Sequence, residues 1–133
     1  MKPLAFWLAG LLVVFGVFAL VNHLRRSADP DQVFVVVDSS FPMIEVWNEV
    51  PDALDGLDNA RYSEYALATE KNLIHGWDTT LELGAVTPFA PCDFDEVESY
   101  ELVDEADEVI LITTAGSCDT TFLTDWRVIR LEP

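Results

Sequence analysis

Residues 33–40 read Val33-Phe34-Val35-Val36-Val37-Asp38-Ser39-Ser40, an apolar run, β-branched at all but one position, that stops abruptly at three polar residues. A strand half-exposed to water alternates apolar and polar side chains. One without alternation must be covered on both faces, as at the centre of a parallel sheet. A second run of this kind, Val109-Ile-Leu-Ile-Thr-Thr114, follows Glu108 and ends at Ala115-Gly116. A third, Trp126-Arg-Val-Ile-Arg-Leu131, does alternate and reads as a half-exposed strand near an edge.

Between these runs, Met43, Ile44, Trp47, Val50, Leu54 and Leu57 recur at three- and four-residue steps. That spacing predicts a helix with one apolar stripe, broken and restarted at Pro51. Residues 61–69 (RYSEYALAT) and 73–83 (LIHGWDTTLEL) read as two strands of a hairpin around the polar turn Glu70-Lys71-Asn72. A proline-rich segment, 85–92, crosses to an acidic stretch in which Phe94, Val97, Leu102 and Val103 fit a short helix lying on the sheet. Asp93 and Asp95 favour its N-terminus through the macrodipole. The resulting order, β-α-β-β-α-β-β, predicts an α/β fold: a short, Rossmann-like three-layer domain over residues 33–133 with a mostly parallel sheet and right-handed crossovers.

Upstream, residues 4–21 (LAFWLAGLLVVFGVFALV) carry no charge. Eighteen residues at about 1.5 Å each extend roughly 27 Å, close to the hydrocarbon thickness of a bilayer. The run is apolar on every face, unlike an amphipathic surface helix. Residues 1–26 are therefore expected to be a single transmembrane anchor, with Trp7 near one interface and Arg25 and Arg26 snorkelling at the other. Residues 27–32 (SADPDQ) follow as a polar linker. The competing reading is a cleaved signal peptide, with Val17-Phe18-Ala19 as its cleavage-type site. Lys2 and the amino terminus nearly balance Arg25 and Arg26, so the positive-inside bias leaves the orientation open. Cys92 and Cys118, a small even count, suit a disulfide in an exported domain. That places the domain on the periplasmic side of the cell inner membrane.

Of the 133 residues, 7 are Lys or Arg and 24 are Asp or Glu, a formal net charge of −17. All 24 acids lie from Ser27 onward, where only Arg61, Lys71, Arg127 and Arg130 oppose them. Charge of this sign excludes nucleic-acid binding through phosphates and repels anionic lipid headgroups. Half the chain is apolar, which excludes a disordered acidic tail. The nine acids between Asp93 and Glu108 make either a solvated face adapted to salt or a docking face for a basic soluble protein.

Reactive constellations are sparse. His75 would have to serve as base to a serine, yet the sequence has no Gly-x-Ser-x-Gly elbow. Cys92 and Cys118 do not form Cys-x-x-Cys, and zinc, haem and phosphate-loop spacings are missing. Asp93-Phe-Asp95-Glu96 is only a fragment of a calcium loop.

Val33–Ser40 (VFVVVDSS), followed by a helix bearing Trp47, resembles the opening of a von Willebrand factor A domain. The hairpin at 61–83 is similar to that family's second strand and antiparallel edge strand. Residues 109–116 (VILITTAG) resemble its fourth strand, which usually ends in Thr-Asp-Gly. The resemblance implies a divalent metal, Mg²⁺, at the C-terminal edge of the sheet, held by an Asp-x-Ser-x-Ser loop, a Thr and a further Asp. Asp38 and Ser40 match the first two positions and Thr87 the threonine; Pro42 stands for the second Ser and Ala115 for the last Asp. The implied metal site is degenerate, and the alternative is that Asp38 and Ser40 cap the helix that follows. The same topology brings Cys92 and Cys118 to that edge, where a disulfide between them would pin it.

The function expected from these features is non-catalytic: a single-pass accessory or scaffolding subunit of a larger membrane complex, respiratory or photosynthetic. No cofactor is called for. The transmembrane helix would contact the partner subunits, with Ala5, Ala9 and Gly16 as a face for close approach. The alternatives are a metal-dependent adhesion module using Asp38 and Ser40, and a thiol redox protein using Cys92 or Cys118.

Overall fold

The computed structural model describes residues 2–121 and 123–133, and the chain divides between Pro30 and Asp31 into two compact units. The first is helix α1, Lys2–Ala28. Within it, Pro3–Ala28 is long and apolar enough to cross a membrane. Its large apolar side chains from Leu4 to Leu24 are exposed all round, so no protein core accounts for them. Only Asp29 and Pro30 separate α1 from the first strand, whereas composition predicts a linker over 27–32. Ser27 stays helical, its hydroxyl donating to the His23 carbonyl at 2.8 Å. Asp31 is already tied to the sheet through its N–H, 3.0 Å from the Tyr62 carbonyl.

The second unit is an α/β domain built on five strands: β1 (Asp31–Val37), β2 (Ser63–Thr69), β3 (Leu73–Asp78), β4 (Glu108–Thr114) and β5 (Arg127–Leu131). Their order in the sheet is β3-β2-β1-β4-β5. All neighbours are parallel except β2 and β3. The unalternating run 33–37 forms the central strand, as its composition requires. Val33, Val35 and Val37 join one core cluster with Met43, Val46, Val50 and Leu54. Phe34 and Val36 join a second with Phe94, Val97 and Leu111. Two clusters divided by the alternating sides of one strand make three layers. Each fully buried Val contributes about 1.5–3 kcal/mol, which explains why the buried stretch 33–37 has no polar position, while Asp31 and Gln32 at the start of β1 are not buried.

The helix expected over 43–57 is three pieces: 3-10 turns at Phe41–Glu45 and Trp47–Glu49, then α2, Val50–Leu57, with Pro51 in its first turn. Three residues per turn align positions i and i+3. Met43 and Val46 therefore face the core, while Ile44, placed on the apolar stripe by an α-helical reading, is exposed. The helix at 93–107 is likewise divided, into a 3-10 turn at Val97–Ser99 and α3, Glu101–Glu105, by extended backbone at Tyr100. Phe94 and Val97 still cover the sheet, with Leu102 and Val103 partly buried beside them.

The second hairpin strand stops at Asp78 rather than Leu83. The Asp78 carboxylate accepts the Thr79 N–H at 2.6 Å, and Leu81 turns back into the core.

Candidate functional site

Parallel strands end together, and in this sheet β1, β2 and β4 deliver Asp38-Ser39-Ser40, Thr69-Glu70 and Thr113-Thr114 to one edge. All seven of these polar residues are buried. The chain leaves β1 toward β2 on one side, while β4 pairs on the other, so this edge contains the topological switch point at which open α/β sheets place ligands.

Asp38 is wholly buried, and both of its carboxylate oxygens are occupied. Oδ1 accepts the Ser40 N–H at 2.9 Å. Oδ2 accepts the Thr113 hydroxyl at 2.6 Å and a second bond from the Ser117 hydroxyl. Glu70, which composition assigns to a solvated turn, is also fully buried. Its carboxylate takes the Ser39 N–H at 2.6 Å and the Ser39 hydroxyl at 3.0 Å. Burial pushes the Glu70 carboxyl above its ordinary 4.5; the bonds from Ser39 oppose that rise and the charge of Asp38 adds to it.

The turn that carries Glu70 is closed by Thr69 instead. Its Oγ1 accepts the N–H groups of Lys71 and Asn72 at 3.3 and 3.1 Å, leaving Glu70 to point inward.

The crossing segment seals the edge from above. Phe89 N–H donates to the Ser39 carbonyl and Phe41 N–H to the Ala90 carbonyl, each at 2.9 Å, so Ala90 bridges to Ser40. Cys92 then joins Cys118 in a disulfide, with Cα atoms 5.7 Å apart across 26 residues of sequence. Closing a loop of that length adds roughly 3–4 kcal/mol in the chain-entropy account. Cys92 Sγ also lies 3.0 Å from the Ser117 hydroxyl, so the disulfide and the Asp38 cluster share one residue.

These donors do not fit the implied Mg²⁺. Asp38 is satisfied by three protein donors, Pro42 and Ala115 have no side-chain oxygen, and Thr87 is exposed on the crossing segment. Among the described residues no group of three His, Cys, Asp or Glu converges as a metal site. The capping alternative fails in detail too. Ser40 holds the cap position of the first 3-10 turn but makes no side-chain cap bond, its hydroxyl facing Ser117 at 3.4 Å.

Outside the buried cluster, a crevice of about 600 Å³ opens between the turn after β1 and the end of β4. Phe41, Pro42 and Ile44 form one wall and Ala115 and Gly116 another, with Glu45 the sole ionisable side chain in its lining. Gly116 approaches Pro42 closely enough that a Cβ there would sit 4.0 Å from the Pro42 Cβ.

His75 lies elsewhere, on β3 opposite Leu67, with Nδ1 2.8 Å from the Gly76 carbonyl. No serine or cysteine side chain bonds to it among the described residues. The edge is thus a closed polar floor under an apolar rim. Its members Ser39, Glu70, Thr113 and Ser117 escape a motif search because strand register, not sequence spacing, unites them. Aligning the end of 33–37 with the end of 63–69 places Glu70 opposite Asp38, one residue from Ser39.

No protein-family model, curated protein or solved structure matches this chain.

Proposed function

We propose that this chain is a non-catalytic, single-pass accessory or scaffolding subunit of a larger membrane complex. In this reading α1 lies in the bilayer of the cell inner membrane and contacts partner subunits. The acidic α/β domain stands on the periplasmic side as a protein-interaction surface, on a degenerate von Willebrand factor A-like fold. The supporting topology is an antiparallel β3 beside β2 at one edge, with Asp38-Ser39-Ser40 at the end of the central strand and β4 adjoining it.

One observation carries the proposal. At the edge where chemistry would sit, every polar side chain delivered by the strand ends is buried, the Asp38 and Glu70 carboxylates bond to neighbouring Ser and Thr, and large apolar side chains, Phe41, Ile44 and Phe89, are exposed around them. A surface of that kind recognises partners and offers no nucleophile, base or open metal position. A half-buried disulfide in the same edge suits an oxidising compartment.

Purification through a C-terminal tag in mild detergent tests the reading. The protein is expected to elute in one large complex of constant composition. A chain that elutes alone, or whose mature form has lost the first helix and is freely soluble, overturns it.

A further inference from the structure

From Asp31 onward, four large hydrophobic side chains are exposed among the described residues: Phe41, Ile44, Leu73 and Phe89. All four lie at the same edge of the sheet. Phe41 and Ile44 occupy the turn after β1. Leu73 opens β3 opposite Ala68, beside the end of β2. Phe89 is fixed there by its bond to the Ser39 carbonyl. Scattered exposed hydrophobics need no explanation, but their concentration on one edge of an otherwise acidic domain marks an interaction site.

Charge decides what covers it. The crevice beside Phe41 contains Glu45 and no Lys or Arg, and Lys71 at the end of β2 is paired with Asp93 at 3.7 Å. A second copy of this chain would bring the same sign of charge to the contact, and so would an anionic lipid surface. Resting on the reading of this domain as an interaction surface, we propose that this edge is where its partner docks. The occupant is a protein segment that inserts an apolar side chain between Phe41, Ile44 and Ala115 and flanks it with Lys or Arg. The apolar anchor supplies affinity and the flanking cations supply orientation and rate.

The test uses the full chain in phosphatidylcholine nanodiscs and three labelled synthetic peptides: one of Lys with interspersed Phe and Leu, one of Lys with Ser replacing the apolar residues, and one of Glu with the same Phe and Leu. Binding to empty nanodiscs is subtracted. The Lys/Phe/Leu peptide is expected to bind most tightly, and to protect the 39–45 and 85–92 segments from hydrogen exchange. The double variant F41S/I44S is expected to weaken that peptide by about tenfold or more while leaving the Lys/Ser peptide unchanged. Both side chains are exposed, so the fold should survive their replacement. A second variant, A115R, places a cation in the crevice wall and is expected to weaken the same peptide.

Equal binding by wild type and both variants, protection confined to residues 93–108, or preference for the Glu peptide would overturn the proposal. Introduced into the tagged protein, F41S/I44S separates the two readings. A complex that forms with wild type and persists with the variant leaves the accessory role standing and removes this docking edge. A wild-type chain that elutes alone removes the accessory role, and peptide binding then decides the edge by itself.

Discussion

Glu70 is the residue whose behaviour departs furthest from its type. A carboxylate without solvent contact is tolerated here because Ser39 offers it both a backbone and a side-chain donor. Burial is nevertheless the larger influence, and it raises the Glu70 pKa above 4.5 in the folded chain. Below 4.5 the group is protonated in folded and unfolded chains alike. As pH rises past that value the unfolded chain releases the proton first, so stability falls until the folded group ionises as well. Replacing Glu70 with Gln removes this contribution while an amide oxygen still accepts the Ser39 N–H. The stability of E70Q relative to wild type should therefore increase as pH is raised through and beyond 4.5, until the folded group ionises. Urea unfolding of both proteins across that range measures the difference, and the remaining carboxylates cancel. A constant difference would show that Glu70 is not desolvated.

Among the elements, strands were more legible than helices, and the reason is physical. A central parallel strand must be apolar on both faces, so Val33–Val37 and Val109–Thr114 announce their position by composition alone. β5 does stand at an edge, but its burial does not alternate: Ile129 and Leu131 pack in one cluster and Val128 in the other, with Arg127 and Arg130 exposed on opposite faces. Helical spacing is ambiguous by contrast, because 3-10 and α windings place different residues on the same face. An α-helical reading therefore puts Ile44 on the core side and leaves out Val46, whereas the 3-10 winding buries Val46 and exposes Ile44. The candidate edge was half legible: Asp38, Ser40 and both cysteines stand at strand or segment ends that sequence can locate. Glu70 becomes legible only once β1 and β2 are aligned by their ends, and Ser117 is not legible at all, since a closed loop brings it in. The turn geometry makes a sharp prediction for neighbouring positions. M43A, which empties a wholly buried site, should cost about 2–5 kcal/mol. I44A should change stability by less than about 0.5 kcal/mol, being exposed. Denaturant titration of the two variants checks this; similar losses at both positions would mean that the segment winds as one α-helix.

For the whole molecule, the question is what 24 acids do to a domain with so few bases. Two of the four bases beyond the first helix form ion pairs, Lys71 with Asp93 at 3.7 Å and Arg127 with Glu108 at 3.5 Å. Arg61 lies over the Tyr62 ring, and Arg130 donates to the Thr120 hydroxyl. Among the described residues most of the carboxylates thus have no cation in an ion pair with them, and folding draws them together against their mutual repulsion. Simple salt relieves this, since the screening length falls from roughly 10 Å near 0.1 M to about 3 Å at 1 M. The thermal midpoint should therefore climb as NaCl increases across that range, equally with KCl, and the climb should shrink near pH 4, where carboxylates begin to take up protons. Unfolding scans over a grid of salt and pH measure it. The same grid with millimolar Mg²⁺ at constant ionic strength separates general screening from a specific cation. Asp38 already satisfied by Ser40, Thr113 and Ser117 implies no added stabilisation from Mg²⁺. A midpoint raised by Mg²⁺ but indifferent to NaCl would locate a binding site for the ion and return chemistry to the edge that we assign to docking.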